Sequence, residues 1–226
     1  MIGNRSLREW TVRVILLMLG LCIAHLGVTL FLLSDLGSDP FNVLVQGVFR
    51  TLDRWLGWGF LTHGRVHIAI SLLIIFILLL TDRSYVKIGT VLCMVFGGPI
   101  IDGYTLLLGT VFAGAGLPVR ILLLVAGCVI LAYGMTMVIK SDAGTGPNDL
   151  VAVVISDKLK KKFGIVRVIV DMSFVLIGFL LGGVVGAGTL VCMVLVGPVA
   201  GWFLPVNGRL TDKVVARFGG KGNENS

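Results

Sequence analysis

Two short stretches hold the residues best able to do chemistry: Asp35-Leu36-Gly37-Ser38-Asp39-Pro40-Phe41-Asn42 and Asp142-Ala143-Gly144-Thr145-Gly146-Pro147-Asn148-Asp149. Glycine takes backbone angles that end a helix, and proline suits the first position of the next one, so each stretch reads as a break between two helices. Ser38, Asp39 and Thr145 are candidate N-caps. A helix start turns positive N–H groups toward an anion, while unwound carbonyls and carboxylates suit a cation or a proton. Asp35 and Asp142 are candidates for a coupling pair that carries protons or holds a cation. The alternative is that each caps a helix end and orients a turn. Asp149 suits the N-terminal end of a helix dipole, and Asn42 occupies its place in the first stretch. The candidate binding or coupling residues are therefore Asp35, Gly37, Pro40, Asn42, Asp142, Gly144, Pro147 and Asp149.

The elements that must hold these residues are apolar. Of 226 residues, 56% are hydrophobic and 14% charged, with a mean hydropathy of +1.00, whereas soluble domains are about 25% charged. Runs over Val14–Leu33, Ile88–Leu108, Val119–Ile139, Val166–Val185 and Gly188–Val206 approach or exceed the roughly 20 residues that cross a hydrocarbon core as a helix, and the shorter Val66–Thr81 is read as a sixth span. The first run is span-length and lacks a small-residue cleavage site after it, so it reads as a permanent helix. No loop is long enough to fold separately, which makes residues 1–226 one membrane domain. Residues 207–226 read as a basic cytoplasmic tail with a disordered end from Gly219.

The chain repeats itself. A shift of 107 lays Val12, Arg13, Gly20, Gly27, Ser34, Asp35, Gly37 and Pro40 on Val119, Arg120, Gly127, Gly134, Ser141, Asp142, Gly144 and Pro147, so both copies read Ser-Asp-x-Gly-x-x-Pro. A shift of 99 lays Gly89-Thr90-x-x-Cys93-Met94-Val95 on Gly188-Thr189-x-x-Cys192-Met193-Val194, with Gly98-Pro99 and Gly197-Pro198 behind. Residues 12–108 and 119–206 are the two repeats. In each, a short apolar piece follows the break, Phe41–Phe49 or Asn148–Ile155, about 13 Å of helix and roughly half a bilayer. If these pieces are re-entrant, each unit has three crossings and the second enters from the opposite side, giving an inverted repeat of six spans. With a cytoplasmic N-terminus this leaves only Arg50, Arg54, Arg65 and Arg120 of the 19 Lys and Arg outside, as the positive-inside rule asks. Letting the short helices cross fully gives eight spans and parallel repeats with a similarly uneven split; length favours six. A third arrangement lays them on the surface as interfacial helices, with Phe41, Leu44, Val45, Val48 and Leu52 as the apolar stripe.

The two breaks, with the two Gly-Thr stretches behind them, resemble the YczE/YyaS/YitT-like family of bacterial membrane proteins, most closely its YczE branch. The resemblance covers nearly the whole chain. The family motif is Gly-x-Gly-Pro followed by Asp two residues later, which Gly144-Thr145-Gly146-Pro147-Asn148-Asp149 matches. In the first copy Asp39 stands at the glycine and Asn42 at the aspartate. The resemblance implies a multi-helix protein of the bacterial inner membrane, suspected of transport, and names no substrate.

The other polar residues are less telling. Arg167 and Asp171 share a helical face and read as a structural pair rather than a proton relay. Asp102 reads as solvated, His25 as packed within the first span, and His63 and His67 as interfacial. Cys22, Cys93, Cys128 and Cys192 lie in spans without metal-ligand spacing and read as small apolar residues. No His-Glu-x-x-His or Gly-x-Ser-x-Gly is present, so an enzyme is not expected, nor is a cofactor or a metal. The basic residues flank apolar runs instead of gathering with aromatics, which speaks against nucleic acid. The fold expected is an all-α polytopic membrane protein of about six transmembrane helices. The function expected is transport of a small solute, one carrying an anionic group among the candidates, bound at the paired breaks near the midplane. A non-transporting scaffold or regulatory partner of a cytoplasmic enzyme stays open, with Lys158–Arg167 and the tail as docking surfaces. The partners expected are the lipid bilayer and the solute, and a homo-oligomer stays open.

Overall fold

The computed structural model describes residues 6–57 and 59–219. The tail after Gly219, expected to be disordered, lies outside the described residues, as do Arg5 and Lys221 of the topology count. Among the described residues there are eight α-helices and no strand: α1 Leu7–Leu33, α2 Pro40–Leu56, α3 His63–Thr81, α4 Ile88–Leu108, α5 Leu117–Ser141, α6 Pro147–Leu159, α7 Phe163–Leu180 and α8 Ala187–Phe218. All except α2 and α6 are long and apolar enough to span a membrane. Large apolar side chains cover the outside of the bundle, among them Leu72, Phe76, Val95, Ile169 and Leu176. That much uncovered apolar surface is unstable in water and is covered by hydrocarbon in a bilayer.

Local chemistry sets the helix starts. The Ser6 hydroxyl accepts the Glu9 amide at 3.1 Å, Asp39 accepts the amides of Phe41 and Asn42, both at 3.1 Å, and Thr62 accepts that of Arg65 at 3.2 Å. Several helices run longer than their apolar runs, α2 and α8 among them. α2 continues past Phe49 for 17 residues in all, because Arg50 and Thr51 donate to the carbonyls of Gly182 and Leu181 after α7, at 2.8 and 2.9 Å, and so remain helical. α8 passes Val206 and reaches Phe218. Asn207 in this extension is fully buried and donates to the Tyr133 carbonyl at 3.0 Å and to Thr136 Oγ1 at 2.7 Å. The first half of the expected tail is therefore part of the bundle, and the Ser6 hydroxyl closes on the Gly219 carbonyl at 2.9 Å.

The centre of the bundle is the antiparallel pair α1 and α5. Here the backbones nearly touch: a Cβ on Gly27 would lie 2.3 Å from the Leu131 nitrogen, and one on Gly134 would lie 2.2 Å from the Ala24 nitrogen. Gly20 faces Gly134 and Gly27 faces Gly127. Helix α4 packs on α1 and α8 on α5, while α2 lies against α7 and α6 against both α3 and α7. The stripe on α2 is interior as far as Val48: Phe41 and Val45 are buried with Val66, among Leu44, Val48, Ile70 and Phe174, while Leu52 is exposed. Helix α7 lies along α8, but α3 stands apart from α4. In the turn after α3, Asp82 accepts the Ser84 amide and hydroxyl at 3.2 and 2.7 Å. Those bonds hold its carboxyl below the usual range, and Lys158 of α6 stands 3.7 Å away.

Candidate functional site

Both breaks are built alike and each is seated on the other half of the chain. After α1, Asp35 adopts the left-handed conformation (φ 49°) and Gly37 has φ 155°; after α5, Asp142 and Gly144 take φ 56° and 137°. The Leu36 carbonyl accepts the Gly188 amide at 2.9 Å, and the Ala143 carbonyl accepts the Gly89 amide at 2.8 Å. A Cβ on Gly37 would be 2.7 Å from Thr189 Oγ1, and one on Gly144 would be 2.5 Å from the Thr90 nitrogen. The two Gly-Thr stretches that recur in the sequence are therefore the seats of the breaks. The basic residues exchange in the same way: Arg120 Nε donates to the Ser34 carbonyl at 2.6 Å, and Arg13 Nη1 donates to the Ser141 carbonyl at 3.0 Å.

The seats differ in one hydrogen-bond donor and acceptor. Thr189 Oγ1 accepts the amides of Ser38 and Gly186, each at 3.2 Å, and donates to the Ser38 carbonyl at 2.6 Å. Thr90 Oγ1 is buried with no partner among the described residues. Replacing Thr189 by valine is expected to cost about 1–3 kcal/mol, the scale for leaving buried partners unmade, while Thr90→Val should be neutral or slightly stabilising; melting temperatures in detergent separate the two.

Asp35 and Asp142 are not brought together. They follow the C-termini of antiparallel helices and so lie at opposite ends of the α1–α5 pair, about 35 Å apart along the axis at 1.5 Å per residue. Asp35 pairs with Arg120 at 3.0 Å with its side chain 90% exposed. Asp142 pairs with Lys87, which also donates to the Asp142 carbonyl at 3.1 Å. An exposed pair of this kind contributes little, whereas the left-handed backbone is demanding. Asp35→Gly is expected to leave the melting temperature unchanged, and Asp35→Val to destabilise by about 1–2 kcal/mol.

The other end of each break leads to a shared space. A cavity of about 330 Å³ lies between the starts of α2 and α6 and is lined by Asp39, Pro40 and Asn42 from one and by Pro147 and Asp149 from the other. Of the eight sequence candidates, Pro40, Asn42, Pro147 and Asp149 meet here; Gly37 and Gly144 seat the breaks behind them, and Asp35 and Asp142 lie at the ends of the bundle. The walls are mostly apolar, with Leu21, Val28, Leu131 and Val196 among them. This size and lining fit a small-molecule site.

The polar groups of the two halves differ. In the second half Arg167 joins two carboxylates, donating from Nη1 to Asp149 at 2.6 Å and from Nε to Asp171 at 2.9 Å, with side-chain exposures of 8% for Arg167 and 1% for Asp171. In the first half Asn42 hydrogen-bonds Asp39, and His67 meets the Phe41 ring edge-on at 5.2 Å between centroids. His25 also lines the cavity, with Nδ1 2.8 Å from the Leu21 carbonyl. The Arg167–Asp171 pair is as the helical spacing suggests, but Asp149 joins it from another helix, which no local spacing could reveal. His67 reads as interfacial because the apolar run begins at Val66. The helix begins earlier, at His63, and carries His67 one turn inward. Among the described residues no cluster of His, Cys, Asp or Glu fits a metal ion.

This arrangement, a membrane-spanning helical bundle around a small internal site, coincides with a family match over residues 11–205, described as a family of unknown function, DUF6198. The chain belongs to that family. It is 29% identical over 205 residues to an uncharacterized protein of Haemophilus influenzae, covering 89% of this chain and 88% of that one. It is 28% identical over 199 residues to the uncharacterized membrane protein YczE of Bacillus subtilis, covering 88% of each, and 24% identical over 189 residues to YyaS of the same organism, covering 83% and 90%. No solved structure matches.

Proposed function

We propose that this chain is a transporter, not an enzyme, that carries a small solute through the central cavity across a bacterial cytoplasmic membrane, with both termini on the cytoplasmic side. The observation that carries this reading is that α2 and α6, one from each half of the chain, start at the same cavity. Helix starts facing a shared internal space are the form that solute sites take in many secondary transporters. The paired contacts favour an inverted repeat: Gly20 with Gly134 and Gly27 with Gly127, Arg13 on Ser141 and Arg120 on Ser34, and Gly89 on Ala143 and Gly188 on Leu36. Each pair maps onto its mate when the halves are exchanged. On this reading α2 and α6 are re-entrant, and Asp35 and Asp142 serve the turns while Asp39, Asn42, Asp149 and Arg167 face the solute.

The test begins with a thermal-stability screen of the purified protein against a metabolite library, since a ligand of the native state raises its melting temperature. Solutes that stabilise it are then followed into proteoliposomes. Ser71 is buried in α3 and lines the cavity, so Ser71→Leu should retain the fold and lose flux. If no stabilising solute crosses, or Ser71→Leu transports as well as wild type, the reading falls and a docked cytoplasmic partner becomes the explanation to pursue.

A further inference from the structure

Resting on the cavity as the solute site, we infer that it selects a solute bearing one positive charge, such as a protonated amine, over an anion. Each helix start that would attract an anion already carries one of the protein's own carboxylates, bonded to the free amides at α2 and placed in the first turn, without a cap bond, at α6. Asp39 accepts the first free amides of α2, and Asp149 sits in the first turn of α6. The cation of the site, Arg167, is engaged by Asp149 and Asp171 together, and Asp171 Oδ1 is still buried without a partner among the described residues. Among the described residues Asp39 forms no ion pair with Lys or Arg. Its Oδ1 takes two amides and its Oδ2 takes only the Asn42 amide group, leaving lone-pair capacity on a carboxylate that lines the cavity.

The charges can be counted. Three carboxylates, Asp39, Asp149 and Asp171, stand against one guanidinium. The two helix starts contribute about half a positive charge each. With His25 and His67 neutral, the site carries about one negative charge in excess, in surroundings where charge is weakly screened. One monovalent cation balances it. The Phe41 side chain lines the same cavity and adds apolar surface suited to an alkyl group. The volume, about that of ten water molecules in the liquid, limits the solute to a small molecule.

The test compares butylammonium, butyrate and 1-butanol, alike in size and different in charge, by thermal shift on the full-length protein in detergent at about pH 8, where ordinary imidazole is neutral. The expected result is stabilisation by butylammonium alone. Asp39→Asn keeps an N-cap of equal quality while removing the charge, so it should melt like wild type and bind the amine roughly ten- to hundredfold more weakly, the scale of one charge-assisted hydrogen bond. Butyrate or butanol matching the amine, no response to any of the three, or an unaffected Asp39→Asn would overturn the inference. The two readings fail separately. Amine binding without flux removes transport and leaves the charge preference, whereas flux of an anion blocked by Ser71→Leu removes the charge preference and leaves transport.

Discussion

Arg167→Met is expected to destabilise the protein by about 3–5 kcal/mol, the scale for breaking a buried ion pair from one side. The substitution leaves two carboxylates, Asp149 and Asp171, facing each other without a counter-charge, and Asp171 is 1% exposed, so water cannot take over. Arg167→Lys should recover only part of the loss. Nε and Nη1 now reach carboxylates on two different helices, and one ammonium on a flexible stem cannot hold both in that geometry. If the cost comes from stranded charge rather than lost packing, Arg167→Met combined with Asp171→Leu should melt above Arg167→Met alone. A double variant no more stable than the single one would assign the loss to packing.

A comparable loss is expected from a single methyl group at the α1–α5 crossing. At Gly27 and Gly134 the Cβ of alanine would come within 2.3 Å and 2.2 Å of backbone nitrogens on the facing helix. Backbone cannot turn aside as a side chain can, so the helices must separate along the seam that joins the two halves. Each of Gly27→Ala and Gly134→Ala should cost about 3 kcal/mol, at the upper end for overpacking, and should lower the yield of monodisperse protein on size exclusion. Gly98→Ala and Gly103→Ala are the controls, because nothing lies within 4 Å of a Cβ at either position and alanine favours a helix over glycine by about 1 kcal/mol. They should melt at or above wild type.

The helical membrane fold was legible because its cause is composition: runs of span length admit almost no other backbone solution in lipid. The breaks were legible because glycine and proline punctuate helices. The chemistry of the cavity was harder to find. Duplication drew attention to Asp35 and Asp142, yet what both copies share is a left-handed turn at the end of a helix, and that need is met at the ends of the bundle. The charged and hydrogen-bonding side chains singled out at the cavity are those in which the halves differ: Asp39 against Gly146, Asn42 against Asp149, and Arg167 and His67 with no repeat-matched partner in sequence. Repetition marks Asn42 and Asp149 by their matching places, but it marks Asp39 only as a cap and leaves Arg167 and His67 unmarked. The Gly-Thr stretches were visible as motifs, but their role in seating the breaks depends on contacts between residues far apart in the chain, as between Ser38 and Thr189 or Gly89 and Ala143, and nothing local announces it.

The separation of α3 from α4 has a consequence for how the molecule is handled. Helices α7 and α8 close one flank of the bundle, while on the opposite flank the cavity is bordered by Ile68 of α3 and by Met94 and Ile101 of α4, helices that do not pack on each other. In a bilayer, acyl chains are expected to complete the wall on that flank, which would make the shape of the chamber partly a property of its solvent. Detergent tails of different length and stiffness will present different walls, so an affinity measured in one micelle belongs to that micelle as well as to the protein.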